Sequence, residues 1–161
     1  CNTLLIPENS ETGIIHTVLA YDLDSGLNSE ITYSITGGNI GNKFNINSYT
    51  GELTAKSLDR EQQSKYVLQI TAQDRGTPVM FQTTCNLTIV VEDENDNAPR
   101  FEKSTYAITV SEGLPIGHHI VSVKAQDADS GHNGKIFYSI MNETDAMFDI
   151  DSRTGMIITA G

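Results

Sequence analysis

The chain has 161 residues and carries 21 acidic against 10 basic side chains, a formal net charge of −11. This acidity disfavours nucleic acid and anionic lipid as partners and favours cations. A hydrophobic content of 38% can support a core, and no apolar run approaches the about 20 residues of a membrane helix, so we expect this piece to be soluble.

Short β-strands are predicted at 31–35, 66–72 and 86–92, which are rich in β-branched and aromatic residues and largely alternate apolar with polar. Turn-forming residues separate them at 24–26, 37–38 and 74–76, and no long stretch has a helical period. This pattern predicts an all-β fold, a Greek-key β-sandwich of the immunoglobulin-like type. The core is expected to use Tyr33, Phe44, Ile46, Leu53, Leu68, Ile70, Leu87 and Ile89.

The chain repeats itself at an offset of just over 100 residues. When Glu8 is aligned with Glu112, residues 44–46 (FNI) fall on 148–150 (FDI). With one extra residue in the second copy, 22–35 falls on 127–140, and nine of these fourteen positions are identical. Two tandem sandwiches are therefore predicted. Residues 1–98 would form the first, and 99–161 the N-terminal part of a second.

Acidic and amide side chains gather at a few places, in the motifs PEN (7–9), DLD (22–24), LDRE (58–61), AQD (72–74), DENDNAP (93–99) and DAD (127–129). Any one of them alone is typical of a solvated turn. A set at repeated positions instead favours a hard cation such as calcium, which takes 6–8 oxygen ligands at about 2.3–2.6 Å.

On LDRE, DENDNAP and the repeated DxDSGxN motif, the chain resembles extracellular cadherin repeats along its whole length. Its motifs are most similar to those of protocadherins and the long Fat/Dachsous-type cadherins. In that family the linker between successive repeats holds up to three Ca²⁺ ions. The resemblance implies a ligand set of Glu8, Asp59, Glu61, Asp93, Glu94, Asn95, Asp96, Asn97, Asp127, Asp129 and Asn133.

Within that set, the resemblance assigns each ion its own ligands. The two ions on the side of the first repeat would be held by Glu8, Asp59, Glu61 and Asp96, with Asp93, Asp129 and the carbonyl of Glu94 at the second of them. The third would use Asn95, the carbonyl of Asn97, Asp127, Asp129 and the carbonyl of Asn133. This third site is expected to be incomplete and weak, because the equivalent of Asp74 lies beyond Gly161.

Two half-sites are also implied. One would face a preceding repeat through Asp22, Asp24, Asn28 and Asp74, and the other a following repeat through Glu112. The implied function is calcium-dependent adhesion. Bound calcium would make the flexible linker between repeats rigid, so that the repeats form a rod. This rod would contact other cadherin ectodomains, homophilically or heterophilically. The parent would be a single-pass protein on the extracellular side of the plasma membrane. The alternative is a structural spacer of a signalling long cadherin that has no partner-binding face of its own.

Some of the charged and polar residues have alternative interpretations. Asp59 and Glu61 suggest a glycosidase pair, but metal ligation explains them better, and no catalytic motif accompanies them, so an enzyme is not predicted. Adjacent residues of a strand point to opposite faces, so His118 and His119 are not expected to chelate one ion together. Asn86 and Asn142 begin glycosylation sequons.

The two cysteines leave alternatives open. The first and last strands of the repeat run parallel in the family. If they do so here, Cys1 and Cys85 would lie at a similar distance from the predicted calcium ligands Glu8 and Asp93 and could form a disulfide. Equally, Cys85 would be a buried thiol and Cys1 part of an untethered terminus.

Overall fold

The computed structural model describes residues 1–21, 30–76, 79–141 and 147–161. They form two compact units, Cys1–Glu94 and Asn95–Gly161. Apart from a 3-10 turn at Ile40–Asn42, the regular elements in these ranges are strands. In the described part of the chain, no helix combines the length and the apolarity needed to cross a membrane. The predicted ligands Asp22, Asp24 and Asn28, and the sequon at Asn142, lie outside the described residues.

The first unit is a sandwich of two sheets. Its strands are β1 (Thr3–Pro7), β2 (Gly13–Thr17), β3 (Thr32–Gly37), β4 (Phe44–Ile46), β5 (Glu52–Ala55), β6 (Lys65–Gln73) and β7 (Gln82–Glu92). One sheet has the order β1-β7-β6-β3 and the other the order β2-β5-β4. The all-β sandwich predicted from the strand pattern is confirmed.

The core lies between these sheets because the strands bury alternate residues. Along β7, Leu87, Ile89 and Val91 are buried and the residues between them are more exposed. The ring of Phe44 meets that of Tyr66 edge to face, at 5.0 Å between centroids. Of the eight predicted core residues, seven are buried, and Ile46 is partly buried against the same cluster. Val18 and Leu58 are also buried there, although the strand pattern did not predict them.

The first and last strands of the unit are joined covalently as well as by hydrogen bonds. β1 pairs with β7 in parallel, with a register running from Thr3↔Thr88 to Pro7↔Glu92. A disulfide joins Cys1 to Cys85 just before this ladder begins, with a Cα–Cα distance of 5.8 Å. The structure therefore selects the disulfide over the two free thiols.

The second unit repeats local features of the first. Its strands are β8 (Arg100–Phe101), β9 (His119–Ser122), β10 (Ala125–Gln126), β11 (Phe148–Ile150) and β12 (Met156–Thr159). They form a β10-β8 pair and a sheet of order β11-β12-β9. The tyrosine hydroxyl accepts a backbone hydrogen bond at equivalent places, Tyr33 from Ala20 (3.1 Å) and Tyr138 from Ala125 (3.0 Å).

The two units differ in how well they cover equivalent apolar residues. Phe44 is 4% exposed, whereas its equivalent Phe148 is 37% exposed. In the first unit Phe44 packs on β6, and the described residues of the second unit include no counterparts of β6 and β7.

Candidate metal centre

Glu8 follows the last residue of β1, and its side chain is fully buried. Its Oε1 accepts a hydrogen bond from the backbone N–H of Glu94 (2.8 Å), and its Oε2 accepts one from that of Arg60 (2.9 Å). Its own N–H donates to the carbonyl of Glu92 (2.9 Å), which continues the β1–β7 ladder by one residue. Three chain segments thus meet at one carboxylate, and both of its oxygens keep lone-pair capacity for a cation.

The LDRE segment is placed beside Glu8 by Leu58, which is 2% exposed and whose carbonyl accepts a hydrogen bond from Asn9 (2.9 Å). Asp59 then caps the turn that follows, since its Oδ1 accepts from the N–H of Gln62 (3.1 Å) and its Oδ2 from the side-chain amide of Gln62 (2.7 Å). Burial, with a smaller contribution from the charge of Asp59, raises the pKa of Tyr66. The turn therefore fixes one predicted ligand at the end of the first sandwich.

Arg60 lies among the acidic side chains of the first unit. Its Nη2 forms an ion pair with Oε1 of Glu61, and its Nε forms one with Oδ1 of Asp93. The same Nε lies 4.0 Å from Oε1 of Glu8. Desolvation acts to lower the pKa of Arg60, but the combined attraction of Asp93, Glu61 and Glu8 outweighs it, so the pKa is raised.

The LDRE motif predicted two ligands, Asp59 and Glu61, but not the role of Arg60 between them. A signal was present, because a cation inside an acidic motif is placed to pair with its neighbours. The first unit therefore brings together Glu8, Glu61 and Asp93 around one guanidinium.

In the second unit, Asn97 and Asp129 organise the predicted ligands. The side-chain amide of Asn97 donates to Oδ1 of Asp96 (2.8 Å) and to Oδ1 of Asp129 (2.6 Å), and its backbone N–H donates to Oδ2 of Asp129 (3.3 Å). Asp127 Oδ1 accepts from the N–H of Asp129 (2.9 Å). Asp129 is 7% exposed, which is unusual for an aspartate. Four predicted ligands are thus linked by hydrogen bonds.

The remaining predicted ligands lie in turns or on the surface. Asn133 donates its backbone N–H to the carbonyl of Ser130 (3.1 Å) in the turn after Asp129. The side chains of Glu94 and Asn95 are exposed. Glu112 is exposed too, although its equivalent Glu8 is buried.

Asp74 has a structural role in the first unit. It is 6% exposed, and its Oδ1 accepts hydrogen bonds from the backbone N–H groups of Gly76 and Phe81, both 2.9 Å. Its own N–H donates to the carbonyl of Phe81 (3.0 Å). These contacts join β6 to β7 across the connection between them.

The other residues singled out from the sequence are at the surface. Asn86 is exposed on β7, as a glycosylation acceptor must be. His118 and His119 are both exposed, and the ring Nε2 of His119 lies 3.1 Å from the hydroxyl of Ser122.

Comparison with known proteins decides the family. The family model described as "Cadherin domain" matches residues 2–92 and 106–161. The chain belongs to the cadherin family. It is 56% identical over 161 residues to Protein dachsous of Drosophila melanogaster, covering 100% of this chain and 5% of that protein. It is 43% identical over 158 residues to human Protocadherin Fat 4, covering 97% of this chain and 3% of that protein.

Solved cadherin structures share the fold. The protocadherin GammaB4 extracellular domain matches with a TM-score of 0.88 and 30% identity, over 99% of this chain and 28% of that one. Mouse Cadherin-23 EC22-24 matches with a TM-score of 0.88 and 31% identity, over 98% of this chain and 50% of that one. Membership places the chain among extracellular modules of the cell-adhesion type, which are not enzymes. The chain spans 5% or less of the length of the two relatives above.

Proposed function

We propose that this cadherin segment binds calcium between its two repeats, residues 1–98 and 99–161, and that the bound ions stiffen the rod for adhesive or receptor–ligand contacts. One observation carries the proposal most directly: Glu8 is a fully buried carboxylate, fixed by two backbone N–H groups among further carboxylates. Buried charge is costly unless it is paired or coordinates a metal. This arrangement suits a cation-binding role.

The chemistry of the donors fits calcium rather than a transition metal. All proposed ligands are carboxylate, amide or backbone carbonyl oxygens, with no histidine or thiol among them. We propose that the ions are held by Glu8, Asp59, Glu61, Asp93, Glu94, Asn95, Asp96, Asn97, Asp127, Asp129 and Asn133. Asp22, Asp24, Asn28 and Asp74, and likewise Glu112, would serve neighbouring linkers.

Charge balance explains why calcium would order the linker. In the first unit, Glu8, Asp59, Glu61 and Asp93 carry four negative charges, and Arg60 offsets one of them. Carboxylates this close repel one another, so a divalent cation lowers the free energy of the ordered arrangement. Binding to the ordered form alone also raises its apparent stability by mass action.

The adhesive part of the proposal is supported by the relatives. Long cadherins such as Protein dachsous and Protocadherin Fat 4 match nearly the whole chain. We propose other cadherin ectodomains as partners, homophilic or heterophilic, with the parent anchored on the extracellular side of the plasma membrane. The second candidate, a spacer without a partner-binding face, predicts the same calcium response but no binding by longer arrays that contain these repeats.

A calcium titration followed by thermal melting and small-angle scattering tests the central step. We expect calcium to raise the melting temperature and narrow the distribution of interatomic distances, and EDTA to reverse both. Asp96→Ala should weaken the response, whereas Glu11→Ala, at an exposed acidic residue outside the ligand set, should leave it unchanged. A wild-type chain with the same melting temperature and scattering in calcium and in EDTA contradicts the proposal.

A further inference from the structure

The guanidinium of Arg60 forms ion pairs with carboxylate oxygens that we propose as calcium ligands in the first unit. It pairs with Oε1 of Glu61 through Nη2 and with Oδ1 of Asp93 through Nε. Its side chain is 18% exposed, against 52% for that of Arg75, which forms an ion pair with Glu30 at the surface. The Arg60 ion pairs are thus more shielded from water than an ordinary surface pair, so each contributes more to the free energy of the folded state.

A guanidinium and a calcium ion at the same oxygens exclude each other. Calcium binds carboxylate oxygens at about 2.3–2.6 Å, and a guanidinium nitrogen hydrogen-bonded to the same oxygen would lie only a few ångströms from the ion. Repulsion between a divalent and a monovalent cation at that separation exceeds the value of one partly exposed ion pair. Arg60 has a long flexible stem, so its side chain can turn outward while its backbone N–H stays bonded to Glu8.

We propose that Arg60 is a built-in counter-cation that competes with calcium for Glu61 and Asp93. With calcium absent, it holds the carboxylates of the first unit together and limits their repulsion. When calcium binds, the side chain of Arg60 leaves these oxygens, and the free energy of breaking its ion pairs is subtracted from the binding energy. Arg60 therefore sets the calcium concentration at which the linker orders. This inference rests on the proposed calcium function.

The test compares Arg60→Gln with Arg75→Gln, which removes the same charge from an exposed ion pair of the same unit. We expect Arg60→Gln to raise the calcium affinity about fivefold to tenfold above that of Arg75→Gln, measured by isothermal titration calorimetry with calcium chloride. In EDTA, Arg60→Gln should lower the melting temperature by about 4 °C or more, while Arg75→Gln should leave it nearly unchanged. A merely structural arginine would weaken both properties, so opposite signs are the diagnostic result.

A second readout uses the unmodified chain and does not depend on the variant folding. The Nε–H resonance of Arg60, assigned by its loss in Arg60→Lys, should exchange slowly with water in EDTA and rapidly in saturating calcium. The inference is overturned if calcium leaves this exchange slow, or if Arg60→Gln binds calcium no more tightly than Arg75→Gln. If the wild-type chain binds no calcium at all, the proposed function fails and this inference fails with it, whereas calcium binding without displacement of Arg60 overturns the inference alone.

Discussion

The carboxylate of Glu8 accepts a hydrogen bond from the backbone N–H of Glu94, 86 residues further along the chain. Its other oxygen accepts one from Arg60, so a single buried side chain ties the end of β1 to two distant segments. Glu8 therefore stabilises the first unit directly, besides any part it takes in binding a metal.

Replacing Glu8 should destabilise the first unit even in EDTA. Glu8→Ala leaves two backbone donors without their acceptor, and each such loss in a buried site costs about 1–3 kcal/mol. The expected result is faster hydrogen exchange of the core amides of β6 and β7. Glu11→Ala, at an exposed position, serves as the control. Equal exchange rates in the two variants in EDTA would show that Glu8 matters for metal binding alone.

Breaking the disulfide should loosen the β1–β7 edge. The bond closes a loop over a sequence separation of 84 residues, and such a cross-link contributes about 2–4 kcal/mol, largely by restricting the unfolded chain. Reduction should lower the unfolding free energy of the first unit and speed exchange in β1 more than in β3. The double variant Cys1→Ser, Cys85→Ser should show the same loss and no further response to reductant. Unchanged stability on reduction contradicts this expectation.

A side chain at Gly51 should be poorly tolerated. Gly51 has a φ of +73°, and a Cβ built there would lie 2.2 Å from the backbone oxygen of Val18. Backbone strain of this kind costs about 1–3 kcal/mol, so Gly51→Ala should lower the melting temperature of the first unit. Gly13→Ala is the matched control, because nothing lies within 4 Å of its added Cβ.

The same substitution in the second unit checks whether the repeat carries the same constraint. Gly155 has a φ of +71°, and an added Cβ would lie 2.3 Å from the oxygen of Val123. Gly155→Ala should therefore speed hydrogen exchange at Val123, whose N–H donates to the carbonyl of Gly155 (2.9 Å). Unchanged exchange at Val123 would show that the second unit relaxes around the methyl group.

Asp151 should make one turn of the second unit sensitive to acid. Hydrogen bonds to its Oδ1 from the backbone N–H groups of Thr154 and Arg153 lower the pKa of this carboxyl. A lowered pKa in the folded chain means that the stabilisation is present above the unfolded pKa of about 3.9 and is lost as the pH falls through the folded value. An NMR titration should place the transition of the Arg153 and Thr154 amides at a pH below the ordinary pKa of an aspartate side chain.

The first unit supplies the control for this titration. There, the uncharged Asn47 uses its Oδ1 to accept hydrogen bonds from Tyr49 (2.9 Å) and Thr50 (3.0 Å) in the equivalent turn. Asp151→Asn should therefore keep the turn and remove the acid transition. An acid transition that persists in Asp151→Asn would have to come from another group.

Local pattern was enough to predict the strands and most of the core. Alternate side chains of a strand point to opposite faces. The burial of residues such as Leu68, Ile70 and Leu87 can therefore be predicted from the alternation of apolar and polar residues around them. Val18 and Leu58 were missed because they lie outside β-strands, where no period marks the inward side. β7 begins at Gln82, earlier than the predicted 86, because its first residues pair with the end of β6.

The repeat, the all-β sandwich and the family can be predicted from the sequence alone, because each follows from local periodicity or from motifs of fixed spacing. Three relationships are visible only once the chain is folded: Cys1 bonds to Cys85, Glu8 reaches Glu94, and the side chain of Arg60 lies among the carboxylates. These relationships join residues far apart in the chain or depend on side-chain direction in a turn. Neither kind is encoded in the spacing of neighbouring residues; the packing of the sheets sets both.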